Sequence, residues 1–419
     1  MSLCVFTIVA RNYLPLAYTL ADSVREHTDT ELLIFVADGT EALPDKPERH
    51  RLVSLDTYLG AGFDELRFKY NVTEFCTSVK PHLFKRLLAE TDAQYVYYLD
   101  PDTRLYGRLD SVHAEAPQAS LYLTPHLLHC RTEPDHAYPE YKHLWEGIFN
   151  LGFCGVRRSA PAEALLDWWH RRLVEQAYAD RFDGLHTDQK WLDYAPCYLG
   201  DALHIVRHPG VNVAHWNLDE RQLDLASQSA GYHYEVAGQP LLLFHFSGFD
   251  FRGGTLTRHV DVGQQQRYAG QALEQLTAEY RAAVIDNGYA RHIVLPYLHG
   301  RYDNGMAVTP LHRRLYRAKG GATWHDRPFT STGPVFEQFR ERGLLDDSPA
   351  AARDHAAATL PGLDRLTRVA QWLLRAFLRC FGARRYAYLL KFFYKYARPE
   401  FHAFLLEGRQ QANNPAPRP

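Results

Sequence analysis

The chain carries the stretch Tyr-Val-Tyr-Tyr-Leu-Asp-Pro-Asp-Thr at residues 95–103, an apolar run that ends in two carboxylates. Its tyrosine, valine and leucine residues favour a buried β-strand over residues 95–99. Residues two apart on an extended segment point to the same side, so Asp100 and Asp102 are expected to lie together. Pro101 cannot donate to a sheet ladder, and the strand must therefore end here or lie at an edge. The two carboxylates predict a divalent-cation site at the strand tip, and a solvated turn is the alternative.

Segments with strand-like and helix-like patterns alternate around this stretch. A helical pattern over Leu14–His27 lies between apolar runs at residues 4–10 and 32–37. A second helical pattern, over residues 79–91, precedes the strand at residues 95–99. Strand, helix and strand in succession predict an α/β fold, with a mostly parallel, Rossmann-like sheet and flanking helices. Further predicted elements are strands at residues 119–124, 149–156 and 241–246 and helices at residues 161–178, 363–381 and 384–396.

The 419 residues are long enough for one large α/β domain with additions at its C-terminal end. Residues 1–260 are assigned to the α/β domain, and residues 261–359 to a helix and loop region that wraps it. Within that region, residues 296–334 are rich in Gly, Pro and Arg and are predicted to be loop rather than a new core. Residues 360–409 are predicted to form a basic amphipathic helical segment, and residues 410–419 a disordered tail.

Charge and cysteine usage exclude several classes of protein. The net charge of −2 hides an asymmetry, because residues 360–409 carry ten Lys or Arg against three Asp or Glu. The α/β part is therefore acidic, which argues against a nucleic-acid partner. The six cysteines form no CxxC pair, and no signal peptide precedes the first strand. Both features predict a cytoplasmic protein without a structural zinc, and no segment approaches the about 20 apolar residues of a membrane span.

Several short motifs follow one another over residues 3–250. They are Asn12-Tyr13, Glu74-Phe75, Ser78-Val79-Lys80, Asp100-Pro101-Asp102, Phe149-Asn150-Leu151-Gly152-Phe153, Thr187-Asp188-Gln189 and His245-Phe246-Ser247-Gly248. In this order they resemble the motifs of nucleotide-sugar glycosyltransferases of the GT-A fold, most closely those of the retaining family 8 type. The resemblance implies a metal-dependent enzyme that moves a hexose from a nucleotide-diphosphate sugar, with a UDP-sugar favoured. The acceptor it implies is a cell-surface saccharide or a lipid-linked acceptor such as a glycolipid.

The resemblance also implies roles for individual residues. Asp100, Asp102 and His245 would bind Mn²⁺, or Mg²⁺, which stabilises the negative charge of the diphosphate leaving group. Asp188 and Gln189 are the implied catalytic residues, and a Gln amide would stabilise an oxocarbenium-like state without forming a glycosyl-enzyme intermediate. The implied donor-binding residues are Thr7, Ala10, Asn12, Tyr13, Asp38, Lys80, Leu99, Asp100, Pro101, Asp102, Asn150, Gly152, His245, Gly248 and Arg252.

Two of these roles have structural alternatives. His245 lies in an apolar run, where a hydrogen-bonded core histidine is the alternative to a metal ligand. Asp188 precedes a helical pattern and could instead cap a helix that begins at Gln189.

The sequence does not decide which cation would neutralise the leaving phosphate. The family often places a lysine three residues after its His-x-x-Gly segment, whereas this chain has Phe251 there, followed by Arg252. Arg258 and Lys80 are further candidates, and Lys80 is favourably placed at a predicted helix start.

The two C-terminal helical patterns, Leu363–Phe381 and Arg384–Tyr396, alternate aromatic and basic residues. Such helices can lie in a membrane interface with their basic groups at anionic headgroups. A peripheral location at the inner face of the membrane, through residues 363–396, follows from this interpretation. A helical hairpin packed on the catalytic domain or on a second subunit is the alternative.

Two other functions fit an α/β domain with a carboxylate-bound metal. A sugar-nucleotide nucleotidyltransferase needs a Gly-rich, basic loop after the first strand, and Ala10-Arg11-Asn12-Tyr13 lacks the glycines. A catalytically silent carbohydrate-binding or scaffold protein on the same fold is the second alternative. Intact Asp100, Asp102, His245 and Gln189 argue against it.

Overall fold

The computed structural model describes residues 2–44, 48–132, 137–228, 231–319, 327–345 and 363–406. The chain divides into two compact units, the first formed by Met1–Gly60 and Val72–Tyr297 and the second by Ala61–Asn71 and Leu298–Pro419. The boundaries proposed at residues 260 and 359 stay predictions. The predicted disordered tail, residues 410–419, lies outside the described residues.

The elements of the described residues are as follows. The strands are β1 (Leu3–Val9), β2 (Leu32–Val36), β3 (Arg51–Ser54), β4 (Tyr95–Leu99), β5 (Thr103–Leu105), β6 (Leu121–Pro125), β7 (Phe149–Arg157), β8 (Ala179–Asp180), β9 (Leu185–His186), β10 (Leu203–Ile205), β11 (Leu223–Gln228), β12 (Gly231–Val236), β13 (Gln239–Pro240) and β14 (Leu243–His245). The helices are α1 (Leu14–His27), α2 (Leu55–Leu59), α3 (Asp64–Lys69), α4 (Val72–Ser78), α5 (Lys80–Glu90), α6 (Asp110–Glu115), α7 (Tyr141–Glu146), α8 (Ala160–Gln176), α9 (Ala195–Leu199), α10 (Val262–Gln265), α11 (Gln271–Asp286), α12 (Tyr289–His292), α13 (Pro310–Lys319), α14 (Pro334–Glu341) and α15 (Leu363–Tyr396).

A seven-stranded sheet in the order β10-β6-β7-β4-β1-β2-β3 forms the centre of the first unit. Strands β3, β2, β1 and β4 pair in parallel, and so do β6 and β10. β7 runs antiparallel to both of its neighbours. The carboxyl ends of β1, β2 and β4 therefore meet the start of β7 at one edge. The predicted α/β class, with a mostly parallel sheet, flanking helices and a helical segment at the C-terminal end, is confirmed.

Helices cover both faces of this sheet, which explains why its strands are continuous apolar runs. On one face, Val5 of β1 packs in a cluster with Leu20 and Val24 of α1. On the other face, the Phe6 ring meets the Phe84 ring of α5 edge to face, with centroids 5.0 Å apart. Adjacent residues of β1 thus contribute to two separate layers, as the period of two in a strand requires.

A small second sheet brings a distant segment to the tip of β4. β14 pairs antiparallel with β5, which places His245 opposite Thr103. The backbone N–H of Phe246 donates to the carbonyl of Asp102 at 2.8 Å, and this bond extends the pairing by one residue. The smaller sheets β11-β12-β13 and β8-β9 lie in the same unit.

The second unit has a hydrophobic core of its own. Its buried residues include Phe68, Tyr302, Leu315, Tyr316, Val335, Phe336 and Phe339. The Arg313 side chain of α13 donates to the carbonyls of Arg67, Phe68 and Tyr70, which ties α13 to the segment around α3. The prediction that residues 296–334 are loop without a core is therefore wrong. The few apolar positions of α13 lie among basic residues, and this hid the helical pattern.

The last helix, α15, contains a break at Gly382, whose φ of 78° lies in the left-handed region. This break falls between the two predicted C-terminal helices, so both are confirmed. Within the part of the chain that the structure describes, none of the helices combines the length and the apolar character needed to cross a bilayer.

Candidate active site

Asp100, Asp102 and His245 come together at the carboxyl end of β4. The Nε2 atom of His245 lies 3.2 Å from Oδ1 of Asp102 and 3.7 Å from Oδ2 of Asp100. Residues 100–103 form a turn closed by the Thr103 N–H, which donates to the Asp100 carbonyl at 3.1 Å. The chain is therefore extended only as far as Leu99, contrary to the prediction, because Pro101 initiates a turn. The turn nevertheless directs both carboxylates to the same imidazole.

The electrostatics of these three groups suit a cation. Burial raises the pKa of Asp100, although Lys80 and His245 oppose the shift. For Asp102, the effect of burial is outweighed by His245, which lowers the pKa of the carboxyl. Burial alone would lower the pKa of His245, but Asp102 and Asp100 raise it. Two carboxylates and one imidazole, each with an atom within 4.8 Å of the others, form a ligand set that fits Mn²⁺.

Asn212, which the sequence analysis did not identify, holds the far side of the His245 ring. Its Oδ1 atom lies 3.2 Å from Nδ1 of His245, and an amide oxygen can only accept, so Nδ1 carries the proton and Nε2 faces the carboxylates. The Asn212 amide also donates to Thr124 Oγ1 at 2.8 Å and to Asn150 Oδ1 at 3.0 Å. A buried asparagine between Val211 and Val213 was the available signal in the sequence.

Two glycines of the predicted site leave room for imidazole rings. A Cβ atom on Gly152 would lie 2.4 Å from two atoms of the His245 ring. Gly248 has a φ of +70°, and a Cβ atom there would lie 2.5 Å from the His259 ring. Gly152 therefore allows His245 to approach the start of β7 closely, and Gly248 permits the turn that follows β14.

Lys80 and Asp188 form a buried ion pair next to the carboxylates. The Lys80 Nζ atom lies 2.8 Å from Oδ2 of Asp188 and 4.0 Å from Oδ1 of Asp100, and both side chains of the close pair are only 2% exposed. Lys80 also donates to the Leu151 carbonyl at 3.2 Å and lies over the Tyr98 ring. Burial would lower the pKa of Lys80, but the carboxylates of Asp188 and Asp100 raise it. The ammonium group therefore places a fixed positive charge beside the predicted metal ligands.

The alternative role of Asp188 as a helix cap is wrong. The 3₁₀ segment Gln189–Tyr194 receives no hydrogen bond from the side chain of Asp188. That carboxylate instead pairs with Lys80 and accepts a bond from the Thr187 hydroxyl at 3.1 Å.

The predicted catalytic Gln189 joins two backbone segments. Its Oε1 atom accepts from the Leu151 N–H at 3.0 Å, and its Nε2 atom donates to the Glu146 carbonyl at 2.7 Å. Asn150 is similarly bonded, since its Oδ1 atom accepts from the Gly152 N–H at 3.0 Å. The amide of Gln189 thus fixes the start of β7 against the end of α7.

The remaining predicted donor residues lie within or directly after β1, β2 and β4. Thr7 lies within β1, and its buried hydroxyl has no hydrogen-bond partner among the described residues. Ala10, Asn12 and Tyr13 follow β1, whereas Asp38 follows β2 and accepts from the Arg11 N–H at 2.9 Å. β1 pairs in parallel with both β4 and β2, so the ends of the three strands share the sheet edge that carries the carboxylates. Leu99 is buried as the last residue of β4, and Pro101 lies in the turn.

The three candidate cations have different surroundings. The backbone N–H of Arg252 bonds to Asp250, and the Arg252 side chain is exposed. Arg258 donates from Nε to the Gly248 carbonyl at 3.3 Å, so its guanidinium lies against the His-x-x-Gly segment. Lys80 lies nearest to Asp100, but Asp188 already pairs with it.

Comparison with known proteins gives relatives without a described activity. No protein-family model matches the sequence. The chain is 28% identical to the uncharacterized protein YfnD of Bacillus subtilis over 253 residues, which span 58% of this chain and 76% of YfnD. It is 25% identical to the uncharacterized protein YfnF of the same organism over 249 residues, which span 58% of this chain and 80% of YfnF.

Solved structures of glycosyltransferases match the chain at low similarity. Mouse xyloside xylosyltransferase 1 is 12% identical with a TM-score of 0.34, and the match covers 52% of this chain and 89% of the mouse protein. The galactosyltransferase LgtC is 15% identical with a TM-score of 0.38, and the match covers 67% of this chain and 95% of LgtC. TM-scores this low do not establish a function for this chain.

Proposed function

We propose that this protein is a metal-dependent glycosyltransferase of the GT-A type that transfers a hexose from a nucleotide-diphosphate sugar. The observation that carries the proposal is the convergence of Asp100, Asp102 and His245, with Nε2 of His245 3.2 Å and 3.7 Å from the two carboxylates. This cluster lies at the carboxyl ends of parallel strands, which is where open α/β sheets bind their ligands. We propose a UDP-sugar as the donor.

Each group at this edge has a role in the proposed reaction. Mn²⁺, or Mg²⁺, held by the three ligands would stabilise the charge that develops on the diphosphate as the glycosidic bond breaks. Lys80 adds a positive charge that is fixed before the donor binds, so no reorganisation is needed during the reaction. The ends of β1 and β2, with Asn12, Tyr13 and Asp38, are proposed to hold the nucleoside.

We further propose that the transfer retains the configuration of the sugar. Lys80 pairs with Asp188 at 2.8 Å, and a carboxylate held by an ammonium group is a weak nucleophile. This pairing supports a reaction without a covalent sugar–Asp188 intermediate. Asn150 and Asp188 would bind sugar hydroxyls. The Gln189 amide would face the reacting carbon after it gives up one of its hydrogen bonds to the backbone.

The acceptor is proposed to be a cell-surface saccharide or a lipid-linked saccharide reached at the cytoplasmic side of a membrane. The support comes from α15, whose large apolar side chains are exposed alongside its arginines and lysines. Examples are Leu366, Trp372, Phe381, Phe392, Phe393 and Tyr394. Exposed rings together with basic groups are typical of segments that bind anionic lipid surfaces.

A thermal-shift screen of UDP-, GDP- and dTDP-sugars, with and without Mn²⁺, tests the proposal. One donor class is expected to raise the melting temperature only when Mn²⁺ is present, and Asp102→Asn should abolish this rise. Asp110→Asn, an exposed aspartate that pairs with Arg108, is the matched control and should retain it. A rise that persists in Asp102→Asn would mean that the assignment of the cation site is wrong.

Product analysis separates transfer from the alternative activities. Incubation with the stabilising donor and Mn²⁺ should release a nucleoside diphosphate, with the sugar transferred to water when no saccharide acceptor is present. Release of pyrophosphate from a nucleoside triphosphate and a sugar phosphate would instead identify a nucleotidyltransferase. Metal-dependent binding without any turnover would favour a silent carbohydrate-binding protein.

A further inference from the structure

A second cluster of side chains that could bind a metal ion lies outside the site formed by Asp100, Asp102 and His245, which we call the carboxylate site. His126 follows β6, and His143 and Glu146 lie one turn apart on α7, so two separate segments contribute. We call these three residues the His126 cluster. Each offers one possible ligand atom, and these three atoms lie within 4.8 Å of one another. Spacing of i and i+3 puts His143 and Glu146 on one side of their helix.

The cluster is buried. His126 is 4% exposed and His143 is 8% exposed. Their rings are stacked with centroids 4.5 Å apart and planes 27° apart. Buried imidazoles are normally bonded through both nitrogens or bound to a metal, because an unpaired buried polar atom costs about 1–3 kcal/mol.

The hydrogen bonds leave nitrogen lone pairs directed into the cluster. His126 donates from Nδ1 to the Ile148 carbonyl at 3.3 Å, which leaves the lone pair on Nε2. That atom is 3.4 Å from the Asn150 amide nitrogen, a long contact that a metal ion could replace. Within the described residues, neither ring nitrogen of His143 has a hydrogen-bond partner, although its Nδ1 atom lies 3.4 Å from Oε2 of Glu146. The Tyr138 hydroxyl donates to Oε1 of Glu146, which leaves Oε2 as the carboxylate atom nearest to the imidazole.

We propose that His126, His143 and Glu146 bind a divalent transition-metal ion, with Zn²⁺ as the preferred ion, at a site separate from Asp100, Asp102 and His245. Two imidazoles and one carboxylate are a ligand set that zinc accepts, with a fourth position left for water or a ligand. The carboxylate site, with one imidazole, suits Mn²⁺ better. Ligand atoms on tetrahedral zinc are about 3.3 Å apart. Nδ1 of His143 and Oε2 of Glu146 are already 3.4 Å apart.

Contacts connect this cluster to residues of the candidate active site. The Asn150 amide lies 3.4 Å from His126, and Asn150 Oδ1 accepts from Asn212, which contacts His245. The Trp216 ring meets the rings of both His126 and His245, with centroid distances of 5.5 Å and 5.1 Å. An ion at the His126 cluster would therefore order the residues behind the first site. Its binding does not depend on the proposed transferase activity.

Counting bound zinc in three variants of the full chain tests the proposal. Chelator-treated protein is equilibrated with Zn²⁺, passed through a desalting column and subjected to elemental analysis. The Asp102→Asn variant is expected to retain one tightly bound Zn²⁺ per chain. Adding Glu146→Gln to Asp102→Asn is expected to weaken that binding by at least about tenfold, since it removes a charged ligand. Glu115→Gln is the matched control, because Glu115 pairs with His204 at 3.2 Å outside either cluster.

Co²⁺ in place of Zn²⁺ gives a readout that is independent of activity. Wild-type, Asp102→Asn and Glu115→Gln proteins should show the visible absorption that is typical of four-coordinate Co²⁺, and the double variant with Asp102→Asn and Glu146→Gln should lose it. The proposal is overturned if Asp102→Asn binds no zinc, or if the folded double variant binds it as tightly as Asp102→Asn. Should the double variant fail to fold by circular dichroism, the zinc count of Asp102→Asn decides alone.

Discussion

Gly152 and Asn212 hold the His245 imidazole from two sides, and this arrangement sets the geometry of the predicted metal site. Gly152 permits the ring to approach the start of β7, and Asn212 fixes the proton on Nδ1. Partners behind a metal ligand of this kind orient it and raise its affinity for the ion. The orientation of His245 and its affinity for the ion therefore depend on residues that need not contact the ion themselves.

Replacing Gly152 by Ala should displace the His245 ring, because the new Cβ atom would lie 2.4 Å from it. We expect Mn²⁺ affinity, measured by isothermal titration calorimetry, to fall by about tenfold or more. Gly270→Ala is the control, since the described structure shows no atom within 4 Å of a Cβ atom there. Equal Mn²⁺ affinities in the two variants would contradict this explanation of Gly152.

Replacing Lys80 by Met should leave Asp188 as a buried charge without its ammonium partner. The expected loss of unfolding free energy is about 3–5 kcal/mol. Adding Asp188→Asn should recover most of that loss, because the uncompensated charge is removed. Urea denaturation measures the stability of both variants.

The same two variants separate stability from donor binding. The double variant is expected to regain stability without regaining donor binding, because the proposed role of Lys80 is to supply positive charge to the diphosphate. If titration with the stabilising UDP-sugar showed normal donor binding in the double variant, Lys80 would have a structural role alone.

At the scale of secondary structure, the pairing of β5 with β14 joins the two halves of the site. It places His245 opposite Thr103, directly after the two aspartates. β14 has only three residues, so its position depends on further bonds, such as the one from the His245 N–H to the Val213 carbonyl at 2.8 Å. The predicted metal site thus depends on a short strand that is held by β5 on one side and by Val213 on the other.

The helix α15 should bind anionic vesicles through its arginines, at about 1 kcal/mol for each basic group. In a co-sedimentation assay, Arg384→Gln with Arg385→Gln should weaken binding to phosphatidylserine-containing vesicles by about 10–30-fold. Arg171→Gln with Arg172→Gln, an exposed adjacent pair on α8, should leave it unchanged. An equal loss in both double variants, or no binding by the wild type, would contradict membrane association through α15.

The elements differ in how far the sequence predicted them. β4 and α1 have the predicted bounds, because each shows an uninterrupted pattern that fits its period. α13 was missed because its few apolar residues, Leu311, Leu315 and Tyr316, fall at helical spacing but lie among basic residues. Their burial depends on partners such as Phe68, far away in the sequence.

The same distinction applies to the candidate site. Asp100, Asp102 and His245 belong to motifs and could be identified individually, and the structure brings them together. Asn212 and the His126 cluster do not form motifs, and their contacts arise from the folding of separate segments. The hydrogen bonds of Gln189 to Leu151 and Glu146 could not be predicted for the same reason.

At the scale of the whole molecule, stability should fall in mild acid because histidines are buried in their neutral form. Burial, together with Arg49 and Arg25, lowers the pKa of His50 to about 4 despite the nearby Asp22. The Arg49 Nε–H donates to Nε2 of His50 at 3.1 Å, and this bond requires the neutral ring, which stacks on Tyr18. As pH falls from about 6.5 to 4, the unfolded chain takes up the proton first, so stability is lost in that window.

The contribution of His50 can be measured with a single substitution. Between pH 7 and pH 5, His50→Gln should lose less unfolding free energy than the wild type, by about 2 kcal/mol at most. Urea denaturation at both pH values gives the comparison. Identical losses in the two proteins would mean that His50 does not contribute to the acid sensitivity.

The central claim is that Asp100, Asp102 and His245 together bind the ion that carries the diphosphate of the donor. Anomalous diffraction from crystals of the full chain grown with Mn²⁺ and UDP tests this most directly. We predict a manganese peak within bonding distance of both carboxylates and of Nε2 of His245, in contact with the diphosphate. Bound UDP with no manganese peak between these three residues, or with manganese at the His126 cluster alone, would contradict the account.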